Sequence, residues 1–259
     1  MATIGIFDSG CGGLSVLKEL LRILPGERYI YYSDAANCPY GEKSTEFITN
    51  RSRSISAELL QQGADIIVVA CNTATAAAIK TLRAERPDVP FVGMEPAVKP
   101  AAADTASGVV GVLATKSTLH AEKYHQTRDR YTENVKIVEQ AGEGFVELVE
   151  NGEFEGEKVE ATVEHSLRPL LDQGADVIVL GCTHYPFLLP VMQKIAGPEV
   201  EFIDPAPAVA KRVLSILKEK QIPQEQNPKL RVEIKSSGSV ETARRLYSKI
   251  VKDLTLNLS

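Results

Sequence analysis

The stretch GADIIVVACNT at residues 63–73 returns 111 residues later, with few changes, as GADVIVLGCTH at residues 174–184. Each copy is a continuous apolar run that ends in a cysteine, which predicts a buried strand of a parallel sheet. The same offset relates the Pro-Ala-Val at 96–98 to the Pro-Ala-Val at 207–209. The repeat therefore covers a whole strand-turn-helix-strand unit.

A buried strand followed at once by a helix is typical of doubly wound α/β proteins, in which ligands bind beyond the carboxyl ends of the strands. We therefore predict an α/β fold of two pseudosymmetric lobes, each a mostly parallel sheet flanked by helices. The first lobe is expected to comprise residues 1–97 with 208–259, and the second residues 98–207. The active site is expected in the cleft between them.

The composition limits the class of protein and the class of partner. The chain has 259 residues, 44% of them hydrophobic and 24% charged, which is typical of a globular protein and excludes a fibrous one. Its net charge of -5 argues against a nucleic-acid partner, and no apolar run reaches the length of a membrane span. A small molecule is the expected partner. The first strand begins at Thr3 without a leader segment, so we expect a cytoplasmic protein with reduced cysteines.

The two cysteines of the repeat, Cys71 and Cys182, are the first candidates for chemistry. Each precedes a predicted helix start, where backbone N–H groups favour the thiolate form. Cysteine is also among the most buried residue types, and a packing role is the alternative. The matched positions favour chemistry. Two thiols that reach a carbon from opposite faces can remove a proton on one side and deliver one on the other, which predicts racemisation or epimerisation.

Asp8 and His184 are the next candidates, because each stands close to one of these thiols. Asp8 ends the first predicted strand, and His184 lies two residues beyond Cys182. Either could polarise a thiol or hold a substrate ammonium group. The alternatives are a turn-forming role for Asp8 and a capping or packing role for His184.

The turn motifs indicate what kind of ligand the site would take. The glycine-rich DSGCGG at residues 8–13 lacks both nucleotide-binding glycine spacings and a Walker lysine, and no acidic residue follows a second strand at a suitable place. None of the turns DSGCGG, PYG, CNTAT and CTHYP contains Lys or Arg. A carboxylate would then be bound by neutral donors, for which the candidates are Ser9, Asn72, Thr73 and Thr183. No cofactor or metal motif is recognised, so we expect a cofactor-free reaction and no metal.

The periodicity of the remaining chain predicts helices at 45–62, 74–84, 117–130 and 157–172. The tail is predicted to form a helix from 208 to 220, a strand near 230–234 and a final helix from 240 to 253.

Four motifs in this order resemble those of glutamate racemases and span nearly the whole chain: DSGCGG (8–13), PYG (39–41), ACNTA (70–74) and LGCTHYP (180–186). The resemblance implies a cofactor-independent, two-thiol interconversion of L- and D-glutamate that supplies D-glutamate for peptidoglycan. It further implies a pseudosymmetric two-domain α/β fold and a homodimer.

By matching positions, the resemblance implies that Cys71 is the base toward D-glutamate and Cys182 the base toward L-glutamate, assisted by Asp8 and His184. The implied substrate contacts are Asp8, Ser9, Tyr40, Gly41, Asn72, Thr73, Thr183 and His184, with Glu150 as a further acidic residue. Upstream of Glu150 many members have a Cys-Pro pair, whereas this chain reads Ala-Gly-Glu at residues 141–143.

Three alternatives remain open on the sequence. Aspartate racemase belongs to the same wider superfamily, and a shorter dicarboxylate needs only a small change in pocket length. A two-lobed amino-acid binding protein would leave the cysteines as core residues. A third hypothesis is a metal site formed by Cys11, Cys71, Cys182 and His184.

Overall fold

We describe the protein from a computed structural model, which covers residues 1–131, 135–225 and 230–256. The chain forms two compact units. The first comprises Met1–Met94 and Ala206–Ser259, and the second comprises Glu95–Pro205. Within the described part of the chain, no helix is both long and apolar enough to cross a membrane.

The first unit is a sheet of five parallel strands in the order β4-β3-β1-β2-β9. Its strands are β1 (Thr3–Asp8), β2 (Arg28–Ser33), β3 (Ile66–Val69), β4 (Phe91–Gly93) and β9 (Arg231–Ser236). Its helices are α1 (Leu14–Ile23), α2 (Thr45–Gln61), α3 (Asn72–Glu85), α10 (Ala206–Glu219) and α11 (Glu241–Leu256), with 3₁₀ helices at Ala35–Asn37 and Tyr40–Glu42.

The second unit is a sheet of four parallel strands in the order β6-β5-β7-β8. Its strands are β5 (Val109–Ala114), β6 (Lys136–Ala141), β7 (Val177–Gly181) and β8 (Glu201–Ile203). Its helices are α4 (Val98–Asp104), α5 (Lys116–Leu119), α6 (Glu122–Arg128), α7 (Phe145–Asn151), α8 (Glu157–Leu171) and α9 (Leu189–Ala196), with a 3₁₀ helix at Tyr185–Leu188.

The two sheets have the same topology. Read from the other edge, β8-β7-β5-β6 repeats the order β4-β3-β1-β2, and β9 is the one addition in the first unit. The strands that precede the two cysteines, β3 and β7, are also entered in the same way. Gly63 and Gly174 both have φ near +85° and so turn the chain out of the preceding helix. The predicted α/β class, with two parallel sheets flanked by helices, is confirmed.

The apolar runs form the buried centre of each sheet. Every residue of β1, β3 and β7 is buried, as expected for parallel strands covered on both faces. In the first unit Phe7 pairs with Val69, so β1 and β3 end side by side. In the second, Ala114 of β5 pairs with Gly181 of β7. Each cysteine therefore follows a central strand at the carboxyl edge of its sheet.

Two sequence predictions were wrong in detail. The predicted helix at 117–130 is two helices, α5 and α6, separated at residues 120–121. The carbonyl of Leu119, the last residue of α5, is bonded by the His125 ring, whose Nε2 lies 2.7 Å from it, in place of a backbone N–H of a continuing helix.

The second difference follows Cys182. Helix α3 begins directly after Cys71, but the chain after Cys182 enters a 3₁₀ helix first, and α9 begins only at Leu189. Pro186 has no N–H, and inside an α-helix its ring would clash with the carbonyl one turn earlier. The equivalent helix start expected at Thr183 is therefore absent.

Gly13 lets α1 approach the sheet beside the end of β1. A Cβ added there would lie 2.8 Å from Asp8 Cβ, 3.0 Å from Ala70 Cβ and 3.1 Å from the Tyr31 hydroxyl oxygen. We predict that Gly13→Ala lowers the free energy of unfolding by about 2 kcal/mol, because overpacking outweighs the smaller gain from a stiffer unfolded chain. Urea denaturation measures this.

Ser54→Ala on the exposed face of α2 is the control for Gly13→Ala and should change stability by less than about 0.5 kcal/mol. A Gly13→Ala protein as stable as the wild type would show that α1 does not pack this closely.

Candidate active site

Cys71 lies at the start of α3 and acts as the N-cap of that helix. Its backbone is extended, and its sulfur accepts a hydrogen bond from Ala74 N at 3.4 Å. The thiol itself donates toward Ser9 Oγ at 3.7 Å. The residue is only 6% exposed. A negative charge on this sulfur would be stabilised by the N–H group and by the positive end of the helix dipole.

Asp8 ends β1 and is fully buried. One carboxylate oxygen accepts from Gly10 N at 2.8 Å, which is the turn-forming contact considered as the alternative role for this residue. Asp8 thus shapes the DSGCGG turn whether or not it also meets a substrate. Its catalytic role stays a prediction.

Asn72 carries the least satisfied polar side chain of the region. It is 4% exposed, yet neither its amide nitrogen nor its amide oxygen has a hydrogen-bond partner among the described residues. Leaving a buried amide unpaired costs about 1–3 kcal/mol. An amide held in this way at the first turn of α3, next to Cys71, is suited to bind a polar ligand. Thr73 follows it and is also buried.

Tyr40 and Gly41 lie in a 3₁₀ helix that follows Pro39. The Tyr40 ring packs in the same buried cluster as Cys71 and Phe7. Its hydroxyl donates to Asp34 Oδ2 at 2.6 Å. Burial, this hydrogen bond and the nearby charges of Asp34 and Cys71 all raise the phenol pKa. The Tyr40 hydroxyl therefore keeps its proton and donates it in the hydrogen bond to Asp34. We expect any substrate contact of this segment to be made by its backbone.

Asp34 is a residue that the sequence interpretation missed. It is fully buried directly after β2, and it accepts two hydrogen bonds from Arg51 on α2, at 2.6 and 3.0 Å. Burial alone would raise the Asp34 pKa, but the hydrogen bonds, first that from Arg51, hold it below its usual 3.8. An acidic residue does therefore follow the second strand. The case against a nucleotide pocket rests on the glycine spacing and the missing lysine.

In the second unit, Cys182, His184 and Glu150 form a chain of contacts. His184 Nδ1 lies 3.7 Å from the sulfur of Cys182, and its Nε2 lies 2.7 Å from Glu150 Oε1. His184 is 1% exposed. In this arrangement the histidine can exchange a proton with the thiol while the carboxylate orients the ring and stabilises its cationic form. Glu150, predicted as a substrate contact, thus forms a hydrogen bond with the His184 ring in the structure.

Tyr185 is a second residue that was missed, although it stands inside the CTHYP motif. It is completely buried, and its hydroxyl donates to the Gly142 carbonyl at 3.3 Å. Burial and the charge of Cys182 raise its pKa. Gly142 belongs to the stretch that departs from the family pattern, and a Cβ there would lie 2.5 Å from the Tyr185 hydroxyl. Thr183 is buried in the same turn.

The predicted residues thus form two sets. Within the first unit they are Asp8, Ser9, Tyr40, Gly41, Cys71, Asn72 and Thr73; within the second they are Glu150, Cys182, Thr183 and His184. The hypothetical metal ligands are divided in the same way, with Cys11 and Cys71 in one unit and Cys182 and His184 in the other. None of the four cysteines forms a disulfide.

The model of the protein family described as Asp/Glu/Hydantoin racemase matches residues 4–213 of this chain. The chain belongs to this racemase family. A glutamate racemase of Roseiflexus sp. (strain RS-1) is 50% identical over 217 residues, which are 84% of this chain and 80% of that protein.

Solved racemases have the same fold. Escherichia coli glutamate racemase in complex with L-glutamate and the activator UDP-MurNAc-Ala has a TM-score of 0.85 and 32% identity, over 96% of this chain and 95% of its own. The Francisella tularensis enzyme in complex with D-glutamate has a TM-score of 0.82 and 28% identity, over 97% and 94%.

Glu150 is bonded to His184, which faces Cys182, so we expect the Glu150 carboxylate to control the reactivity of the Cys182 thiol through this histidine. We predict that Glu150→Gln slows alkylation of Cys182 by iodoacetamide about tenfold at pH 7, because a neutral amide stabilises the imidazolium less. Peptide mass spectrometry would follow Cys182 apart from the other three thiols.

Glu147→Gln, an exposed change on the same helix α7, is the matched control and should leave the rate of Cys182 alkylation unchanged. Equal rates for both variants would contradict a role of Glu150 through His184.

Proposed function

We propose that this racemase interconverts L- and D-glutamate without a cofactor and supplies D-glutamate for peptidoglycan. The observation that carries the proposal is a buried thiol directly after a central strand in each of two sheets of equal topology, each thiol with its own polar partner. The relatives' names and the glutamate bound in two of the solved structures support glutamate as the substrate.

The reaction is a proton exchange at the α-carbon. When D-glutamate is the substrate, the Cys71 thiolate removes the α-proton, and the electron pair of the broken C–H bond is delocalised into the α-carboxylate. The Cys182 thiol then delivers a proton to the opposite face, which gives L-glutamate and leaves Cys182 as thiolate. The roles reverse for L-glutamate. The mechanism requires the two sulfur atoms to reach opposite faces of the same carbon.

Without a cofactor, the carbanion must be stabilised by electrostatics. The neutral donors Asn72, Thr73 and Thr183 would bind carboxylate oxygens, and the Asn72 amide nitrogen has no hydrogen-bond partner among the described residues. Asp8 and His184 would each act on the thiol of their own unit, and the Asp8 carboxylate would also hold the substrate ammonium group. Burial of these side chains excludes water and strengthens every charge interaction at the reacting carbon.

A reaction that depends on free thiols suits a reducing compartment, and we therefore expect the protein in the cytoplasm. The expected homodimer rests on the family resemblance alone, and light scattering at working concentration would test it. Only a small-molecule substrate is proposed as a partner of the site.

The substrate is tested with purified protein in heavy water. We expect L-glutamate to lose its circular dichroism signal while one deuterium enters at the α-carbon, with no change for L-aspartate. The reverse preference would make the protein an aspartate racemase. No exchange with either amino acid would favour a non-catalytic binding protein.

The two-thiol mechanism is tested by single substitutions. Cys71→Ala and Cys182→Ala should each lower racemisation by at least about a thousandfold, because each removes the proton carrier for one face. Residual deuterium exchange should be confined to L-glutamate in Cys71→Ala and to D-glutamate in Cys182→Ala. Mass spectrometry of each enantiomer measures this.

Cys38→Ala is the matched control, since Cys38 is a partly exposed cysteine outside any disulfide, with no expected role in proton transfer. A Cys71→Ala or Cys182→Ala variant that turned over in both directions at nearly the wild-type rate would refute the mechanism.

A further inference from the structure

We propose that Arg51 and Asp34 are positioning residues for the substrate site: the pair fixes the segment that carries Tyr40 and Gly41 and cancels a buried negative charge there. The inference deepens the proposed function and rests on it, because it concerns how an anionic amino acid is admitted to the first unit's part of the site.

Asp34 is the point to which several elements attach. Arg51 reaches it from α2 with Nη2 at 2.6 Å and Nε at 3.0 Å. The Tyr40 hydroxyl donates at 2.6 Å, and Asn37 Nδ2 lies 3.1 Å from both carboxylate oxygens. A further hydrogen bond comes from Ser237, after β9. One carboxylate thus joins α2, the 3₁₀ segment and the end of the sheet.

The same residue is tied to the candidate catalytic groups. Asp34 N donates to the carbonyl oxygen of Asp8 at 3.0 Å, so the two acidic residues are held next to each other at the ends of β1 and β2. Tyr40, bonded to Asp34, packs in the buried cluster that contains Cys71. A shift of Asp34 would therefore move the Tyr40–Gly41 segment relative to Asp8 and Cys71.

Charge makes Arg51 more than a structural support. Asp34 is completely buried and ionised, and Asn37, Tyr40 and Ser237 supply hydrogen bonds but no positive charge. The Arg51 side chain is 28% exposed and forms the ion pair with Asp34. Without it, a desolvated carboxylate would lie close to a site for a substrate with two carboxylates, and like charges in low dielectric repel strongly.

The guanidinium is not a free ligand for the substrate. Two of its nitrogens are used by Asp34, and it also bonds the Tyr32 hydroxyl. Its contribution is therefore indirect: it lets the site contain an acidic residue without an excess negative charge. The two roles can be distinguished. If Arg51 bound the substrate carboxylate directly, neutralising Asp34 would not restore the KM of an Arg51 variant, whereas under the indirect role it would.

The test is a charge cycle in the full-length protein, with the KM and kcat of glutamate racemisation measured in both directions. Arg51→Met should raise KM at least about tenfold and change kcat less than about threefold, because ground-state binding of the anion is what suffers. The double variant Arg51→Met with Asp34→Asn should return KM to within about threefold of the wild type, since the unpaired charge is gone.

Arg53→Met is the matched control. Arg53 lies on the same helix and holds a comparable two-nitrogen contact to Glu85, but that pair is exposed at the surface, so KM should be unchanged. Arg51→Lys keeps the charge and is expected to raise KM less than Arg51→Met, and it serves as the test if Arg51→Met fails to fold. Thermal unfolding of every variant separates loss of folding from loss of binding.

An unchanged KM in Arg51→Met, or a raised KM that Asp34→Asn does not correct, would overturn the inference. Wild-type protein that does not racemise glutamate would instead refute the proposed function, so the two failures are distinguished by the wild-type assay.

Discussion

The parallel pairing of two central, largely buried strands is the constraint on which each unit depends. Because β1 pairs with β3 and β5 with β7 in parallel, all four strands end at the carboxyl edge of their own sheet. A buried strand must satisfy its backbone groups through its neighbours, so this register allows little slippage. Turns that follow the strands of one sheet are then held next to each other by a rigid frame, and the predicted polar residues lie at the end of β1 or in the turns and helices that follow β1, β2, β3, β6 and β7.

The two units use this common frame for different local chemistry. In the first, Cys71 is a helix N-cap, and its sulfur receives a backbone N–H, with Ser9 as its side-chain partner. In the second, Pro186 delays the α-helix, and the thiol of Cys182 faces His184, which is bonded to Glu150. A thiolate is favoured by a dipole in one case and by an acid-base side chain in the other. The two units thus combine a shared strand order with different partners for their thiols, so the two proposed proton carriers need not behave alike.

The buried Asp34–Arg51 pair shows what such a site needs beyond its reacting groups. A fully buried carboxylate that receives side-chain hydrogen bonds from Arg51, Tyr40, Asn37 and Ser237 holds three elements together, and its partner cation keeps the local charge balanced. For an enzyme of acidic substrates this balance matters as much as geometry. The residues proposed to bind the substrate can be neutral donors because the charge of Asp34 near them is already balanced by Arg51.

The sequence by itself determined the fold class, the repeat and the candidate thiols, because buried parallel strands require continuous apolar runs and the two runs end alike. It also indicated Asp8 and His184, which lie close in the chain to a strand end. The delayed start of α9 follows from Pro186, which the sequence itself contains, whereas the Glu150–His184 contact and the Asp34–Arg51–Tyr40 network were decided by tertiary structure. Their partners are separated along the chain, as Glu150 is from His184, and which side chains meet depends on how helices pack beside a sheet. A local pattern of residues does not show which residues that are distant in the chain come into contact.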